Sequence, residues 1–381
     1  MLTGMTTVFT GGRTLDARGD SGPSWILIDG DTISATGEGT PPRADTTIDT
    51  TGLWMTPGFI DLHSHGGGGH SYDSGAESIR AALATHRSHG TTRSVLSLVA
   101  APIAVHRSGL ETIAELSADD PLILGSHLEG PYLAPARRGA HHHDYLRQPD
   151  QADIATLIQA GNGTIRHTTL APELPGGLDA VSTFSEAGIR VAIGHTEADA
   201  ATTRAAFDRG ATILTHAFNA MPGIHHRAPG PIMAAFGDER VTIELVLDGR
   251  HVHPEVAALA FTAAPDRVAL VTDAMAAAGS EDGDYRLGAL NVAVRDGVAM
   301  LRGTTTLAGS TLTQDAALRQ AITACGLTPA EAVAALTRTP ARALGEDHRL
   351  GLIEGGYAAD ILLFDSAWHL GGVWADGRQL V

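Results

Sequence analysis

The chain alternates between two textures. From about residue 55 onward, short apolar runs rich in Val, Ile and Leu are each followed by an Ala-rich segment with helical spacing. The runs are GFIDLHSH, TTRSVLSLV, PLILGSHLEG, TIRHTTLAPE, RVAIGHT, ATILTHAFNAM, VTIELVLDG and RVALVTDAM. They recur roughly every 20–35 residues, the rhythm of a (β/α)8 barrel of about 250 residues. Before and after this region the pattern changes to short strands with Asp-Gly turns, as in SWILIDGDTISATGEG and GGVWADGRQLV. The expected fold is therefore α/β: a TIM-like barrel with a small β-sandwich domain built from both termini. The boundaries implied are 1–54 and 346–381 for the small domain and 55–345 for the barrel. LNVAVRDGVAMLRG reads as a hairpin inserted after the last barrel strand.

In such a barrel, chemistry sits where the strands end. The polar residues fall there. The first run ends in His63 and His65, the third in His127 and Glu129, the fifth in His195, the sixth in His216 and the eighth in Asp273. One buried histidine is ordinarily a hydrogen-bonded core residue. So many ligand types at one register point instead to a metal site. Strand side chains repeat every two residues, so His63 and His65 reach the same ion. Glu129, His195 and His216 form one expected three-ligand site with an open position. His63 and His65 form a second, with Glu129 as bridge. Imidazoles with a carboxylate suit one or two Zn²⁺ or Fe²⁺ ions better than Mg²⁺ or Ca²⁺. Asp273 is the candidate acid/base; a helix cap or a ligand role would use the same position. The glycines after His65 either fold a loop close over the site or leave it flexible.

Composition narrows the chemistry. The formal net charge is −17, which disfavours nucleic acid, although a few arginines suffice for one phosphate. Cys325 is the single cysteine, so neither an internal disulfide nor a cysteine-based zinc cluster is available. All 26 basic residues are arginine, which excludes a Schiff-base lysine, a P-loop lysine and a carboxylated lysine bridging two metals. No apolar run approaches a membrane span, and MLTGMTTVFTGG lacks the pattern of a secretory signal. A soluble, cytoplasmic protein is expected, with no membrane partner.

PGFIDLHSHG, one Glu, two separate His and a final Asp resemble the amidohydrolase superfamily. HLEGPYLAPARRGAH, GHTEA, THAFNAM, LVTDAM and LAGSTLT resemble, within it, the N-acetylglucosamine-6-phosphate deacetylase family. That resemblance implies hydrolysis of the sugar phosphate to glucosamine 6-phosphate and acetate, in amino-sugar catabolism or cell-wall recycling. Metal-activated water would attack the acetamide carbonyl, with Asp273 as acid/base. By motif position, Glu129, His195 and His216 are similar to the principal metal ligands. His141 resembles the histidine beside the scissile amide, with its neighbours His142 and His143 as competitors for that place. Asn219, Ala220, Arg227 and His251 resemble substrate and phosphate contacts, with Ala140 and Ala308 in the same motifs. The resemblance also implies a homodimer in which Arg227 crosses to the neighbouring subunit. A D-aminoacylase-like amidohydrolase and a non-catalytic sugar-phosphate-binding protein are the alternatives.

Overall fold

A computed structural model describes residues 5–381. The first four residues, which open the stretch read above for a secretory signal, lie outside it. The chain forms two compact units. One comprises the residues up to Ile60 with His86–Arg93 and Gln314–Val381; the other comprises Asp61–Thr85 and Ser94–Thr313.

In the first unit, both ends of the chain enter one sheet. Thr6–Asp16 pairs with Gly19–Asp29 antiparallel and with Trp54–Pro57 parallel. Ile361–Phe364 then pairs antiparallel with Trp54–Pro57. The inward apolar positions make one cluster, including Phe9, Ile26, Ile33, Met55 and Ile361. Phe9 meets Trp374 edge to face at 5.1 Å. Arg93 is buried in this unit and forked by Asp360: Nε donates to Oδ2 at 2.7 Å and Nη2 to Oδ1 at 2.9 Å. Asp376 accepts a further Nη2 hydrogen. Arg93→Leu would leave these two carboxylates facing each other without a cation. We expect a stability loss of about 3–5 kcal/mol, read as a shifted midpoint in chemical denaturation. An unchanged midpoint would show that the fork contributes nothing.

The eight parallel strands of the other sheet are Phe59–Ser64, Thr91–Val99, Ile123–Glu129, Ile165–Leu170, Arg190–Ile193, Ala211–Leu214, Thr242–Val246 and Val268–Val271, neighbouring one another in chain order. Each lies within one of the apolar runs quoted above. They are apolar because a parallel barrel strand is covered on both faces; Thr91–Val99 is buried at every position. First and last strands meet at the mouth: Asp273 N–H donates to His63 O at 2.8 Å, and Ser64 bridges to Ala274. The intervening helices carry their own boundaries. Asp150 caps Gln151–Gly161 by accepting from the N–H of Ala152 and Asp153, and Asn162 ends it in a left-handed conformation. The expected hairpin is present as Leu290–Arg295 and Val298–Leu301, turning through Asp296 and Gly297, both at positive φ. Gly283–Leu287 adds a third strand to it. Among the described residues, no helix is long and apolar enough to cross a membrane.

Candidate metal and active site

Three of the strand-end residues share a backbone feature. His195, His216 and Asp273 have φ of 47°, 25° and 48°, where non-glycine residues are rare. Each lies two residues past the end of its strand, where the chain turns at the mouth. Such backbone conformations cost about 1–3 kcal/mol each and persist where function holds them.

Glu129 is the centre of the group. Its Oε1 lies 3.1 Å from His195 Nε2, 3.2 Å from His216 Nε2 and 3.4 Å from His63 Nε2. Its Oε2 lies 3.2 Å from His65 Nε2 and 3.3 Å from His141 Nε2. Asp273 Oδ1 is 3.3 Å from His65 Nε2 and 3.6 Å from His63 Nε2. No helix follows Asp273 until Gln314–Thr323, so Asp273 is not a helix cap. The donor atoms of His63, His65 and Asp273 converge to within 4.8 Å of one another, as do those of Glu129, His141 and His195.

The far nitrogen of each ring decides what the near one offers. His195 Nδ1 lies 2.8 Å from the carbonyl of Arg137, so it carries the hydrogen and Nε2 is a bare donor pair. His63 Nδ1 faces Glu244 Oε2 at 3.3 Å, with the same consequence. His141 is the reverse. Its Nδ1 accepts from the Ala100 N–H at 3.1 Å, so in the neutral ring the proton sits on Nε2. His141 therefore presents a hydrogen-bond donor, whereas His63 and His195 present lone pairs. Distance alone groups His141 with the ligands, but its tautomer suits it to a carbonyl oxygen.

Nε2 of His195 lies 3.0 Å from Nε2 of His216, and Nε2 of His63 lies 3.1 Å from that of His65, so each close pair must share a proton or a cation. Two lone pairs at that distance repel unless a proton or a cation lies between them. Without a cation the site takes up protons. Burial disfavours charge on His65, but Asp273 and Glu129 outweigh it and raise its pKa to about 9. For Glu129 burial is likewise outweighed, by His63 and His141, and it stays well below the usual carboxylate range. A divalent ion supplies the same positive charge and uses the lone pairs, so the donor set fits one.

The site opens into a cavity of about 540 Å³. Ala140, His141, Asn219, Ala220 and His251 line it. Ala308 is buried between the lining residues Leu307 and Gly309, its N–H bonded to Ala299 O. Arg227 is not among the residues lining this cavity; it is exposed, with Nη1 2.8 Å from His226 Nε2. The Asn219 N–H is already engaged by His216 O at 3.0 Å. Of the three consecutive histidines, His141 turns inward; His142 Nδ1 accepts from the Asp144 N–H and His143 is exposed. His251 Nδ1 pairs with Asp248 Oδ2 at 2.7 Å; burial opposes charge on the ring, but Asp248 more than offsets it and raises the pKa. The glycine loop is fixed, because Gly68 N–H and Gly69 N–H donate to Ala278 O and Ala276 O, each at 2.7 Å. Sequence reasoning passed over Arg137 and Arg138, which line the cavity. Their only signal was adjacency to GAH.

Comparison with known proteins agrees with this geometry. The N-acetylgalactosamine-6-phosphate deacetylase of Escherichia coli O157:H7 is 39% identical over 85% of this chain and 87% of its own. The N-acetylglucosamine-6-phosphate deacetylase of Vibrio furnissii is 34% identical over 85% and 82%. A solved structure of N-acetyl-D-glucosamine-6-phosphate deacetylase from Mycobacterium smegmatis, in complex with N-acetyl-D-glucosamine-6-phosphate, superimposes with a TM-score of 0.95 at 39% identity, covering 99% of this chain and 100% of that one. The Amidohydrolase family model matches residues 54–378, and with these relatives it shows that the chain belongs to the amidohydrolase family.

Proposed function

We propose that this protein is an N-acetylglucosamine-6-phosphate deacetylase, releasing acetate and glucosamine 6-phosphate in amino-sugar catabolism or cell-wall recycling. The observation that carries it is the convergence of Glu129, His195, His216, His65 and Asp273 on one cavity, with His63 buried against them, in a chain matched over nearly its whole length by a deacetylase with that sugar phosphate bound. Glu129, His195 and His216 would hold one divalent ion, with His63 and His65 offering a second place; zinc is the identity we propose, ferrous iron the competitor. When bound, the ion acidifies water and polarises the amide carbonyl. Asp273 takes the proton of the attacking water at Oδ1 and returns it to the departing amine. His141 donates its Nε2 hydrogen to the carbonyl oxygen as charge develops there. His251, held by Asp248, and the Ala220 N–H face the phosphate, and Arg227 of a second subunit completes a homodimeric site. The single cysteine suits a cytoplasmic location.

The E. coli relative favours a second reading, the 4-epimeric galactosamine substrate. Acetate release from both N-acetylated hexosamine 6-phosphates and from unphosphorylated N-acetylglucosamine decides between them. We expect the glucosamine 6-phosphate derivative to have the highest kcat/KM. A preference for its 4-epimer would replace the substrate, and equal rates without phosphate would end the phosphate argument.

A further inference from the structure

One carboxylate in the barrel has no part in the mechanism above. Glu244 lies in the middle of Thr242–Val246, is wholly buried, and does not line the cavity. Among the described residues its side-chain ion-pair neighbours are His63 and His167. Oε1 is 3.8 Å from His167 Nδ1, beyond hydrogen-bond reach, and has no hydrogen-bond partner. Oε2 is 3.3 Å from His63 Nδ1. A fully buried carboxylate with one good contact is costly to the fold. Its one contact is the far nitrogen of a histidine whose near nitrogen faces Glu129, His65 and Asp273.

We infer that Glu244 is the positioning residue of the His63/His65 ion place: it accepts the Nδ1 hydrogen of His63 and so holds the Nε2 lone pair towards the mouth. The arrangement differs from that of the other three rings. His195 has a neutral main-chain carbonyl for the same purpose, while the Nδ1 atoms of His65 and His216 are buried without a partner. A charged acceptor orients the ring and also makes it a stronger ligand. The second face of His63 is fixed by His127, packed edge-on at 4.6 Å. His127 is itself held by hydroxyls at both nitrogens, Ser97 Oγ and Thr169 Oγ1, each at 2.8 Å. His63 is thus clamped by groups that never reach the substrate cavity.

This rests on the metal-dependent reading, and its test separates the two. Metal-free protein, stripped with a chelator, is titrated with Co²⁺, and bound cobalt per chain is followed by elemental analysis and visible absorption. The wild type is expected to take up two equivalents. Glu244→Leu should keep the first and weaken the second by about 10–100-fold. Glu244→Gln keeps shape and one acceptor oxygen while losing the charge and the other acceptor, so its second equivalent should weaken by less than about tenfold. A second equivalent bound as in the wild type by both variants overturns the assignment. So does an equal loss of both equivalents, which would mark a general structural role. A wild type that binds one ion removes the second place and the role of Glu244 with it; a wild type that binds none removes the metal reading itself.

Discussion

Asp273→Asn is expected to bind N-acetylglucosamine 6-phosphate normally and to turn it over about 10²–10⁴-fold more slowly. The backbone at this position is held on both sides: its N–H donates to His63 O at 2.8 Å, and its carbonyl accepts from Ser310 N–H at 2.7 Å. An amide of the same shape therefore occupies the same place. What disappears is the ability to take a proton. Burial pushes the Asp273 carboxyl up, but His63 and His65 pull it down further, well below the usual carboxylate range. Its part in the reaction is to accept the proton of water first and to act as an acid only afterwards. The variant should lose kcat with KM nearly unchanged, and calorimetry should still detect binding. Undiminished kcat would remove Asp273 from proton transfer.

The barrel was legible because its strands are covered on both faces, which writes each of them as a dense apolar run. The site was legible where a ligand-type residue interrupts such a run at its end. His63 and His65 needed only the two-residue period of a strand. Other features depend on partners far along the chain. The proton on His141 is placed by the amide of Ala100, and the lone pair of His195 by the carbonyl of Arg137. Glu244 stands in VTIELVLDG, but a lone acidic residue in an apolar run reads equally as inward or outward. The glycine loop allowed two readings until its amides were seen bonded to Ala276 and Ala278. The course of the loop bearing Arg227 had no periodicity to reveal it.

Glu129→Gln is expected to have the larger effect, abolishing both ion binding and turnover. Its two oxygens face five imidazoles, drawn from both candidate ion places. The amide replaces one oxygen by an NH2 group that can only donate, and it removes one of the two carboxylate charges at the mouth. A donor aimed where a cation should sit repels it. The Nε2 atoms of His195 and His216 then have no cation to share, and the carbonyl loses its polarising partner. Stabilisation of several kcal/mol disappears, so turnover should fall by at least about a thousandfold. Elemental analysis of protein purified without chelator should find little metal, and added Zn²⁺ should not restore activity. Asp273→Asn, by contrast, should retain the Glu129, His195 and His216 ion. The pair of variants therefore separates holding the ion from moving the proton, and a Glu129→Gln protein with full metal content and wild-type kcat would break the argument at its centre.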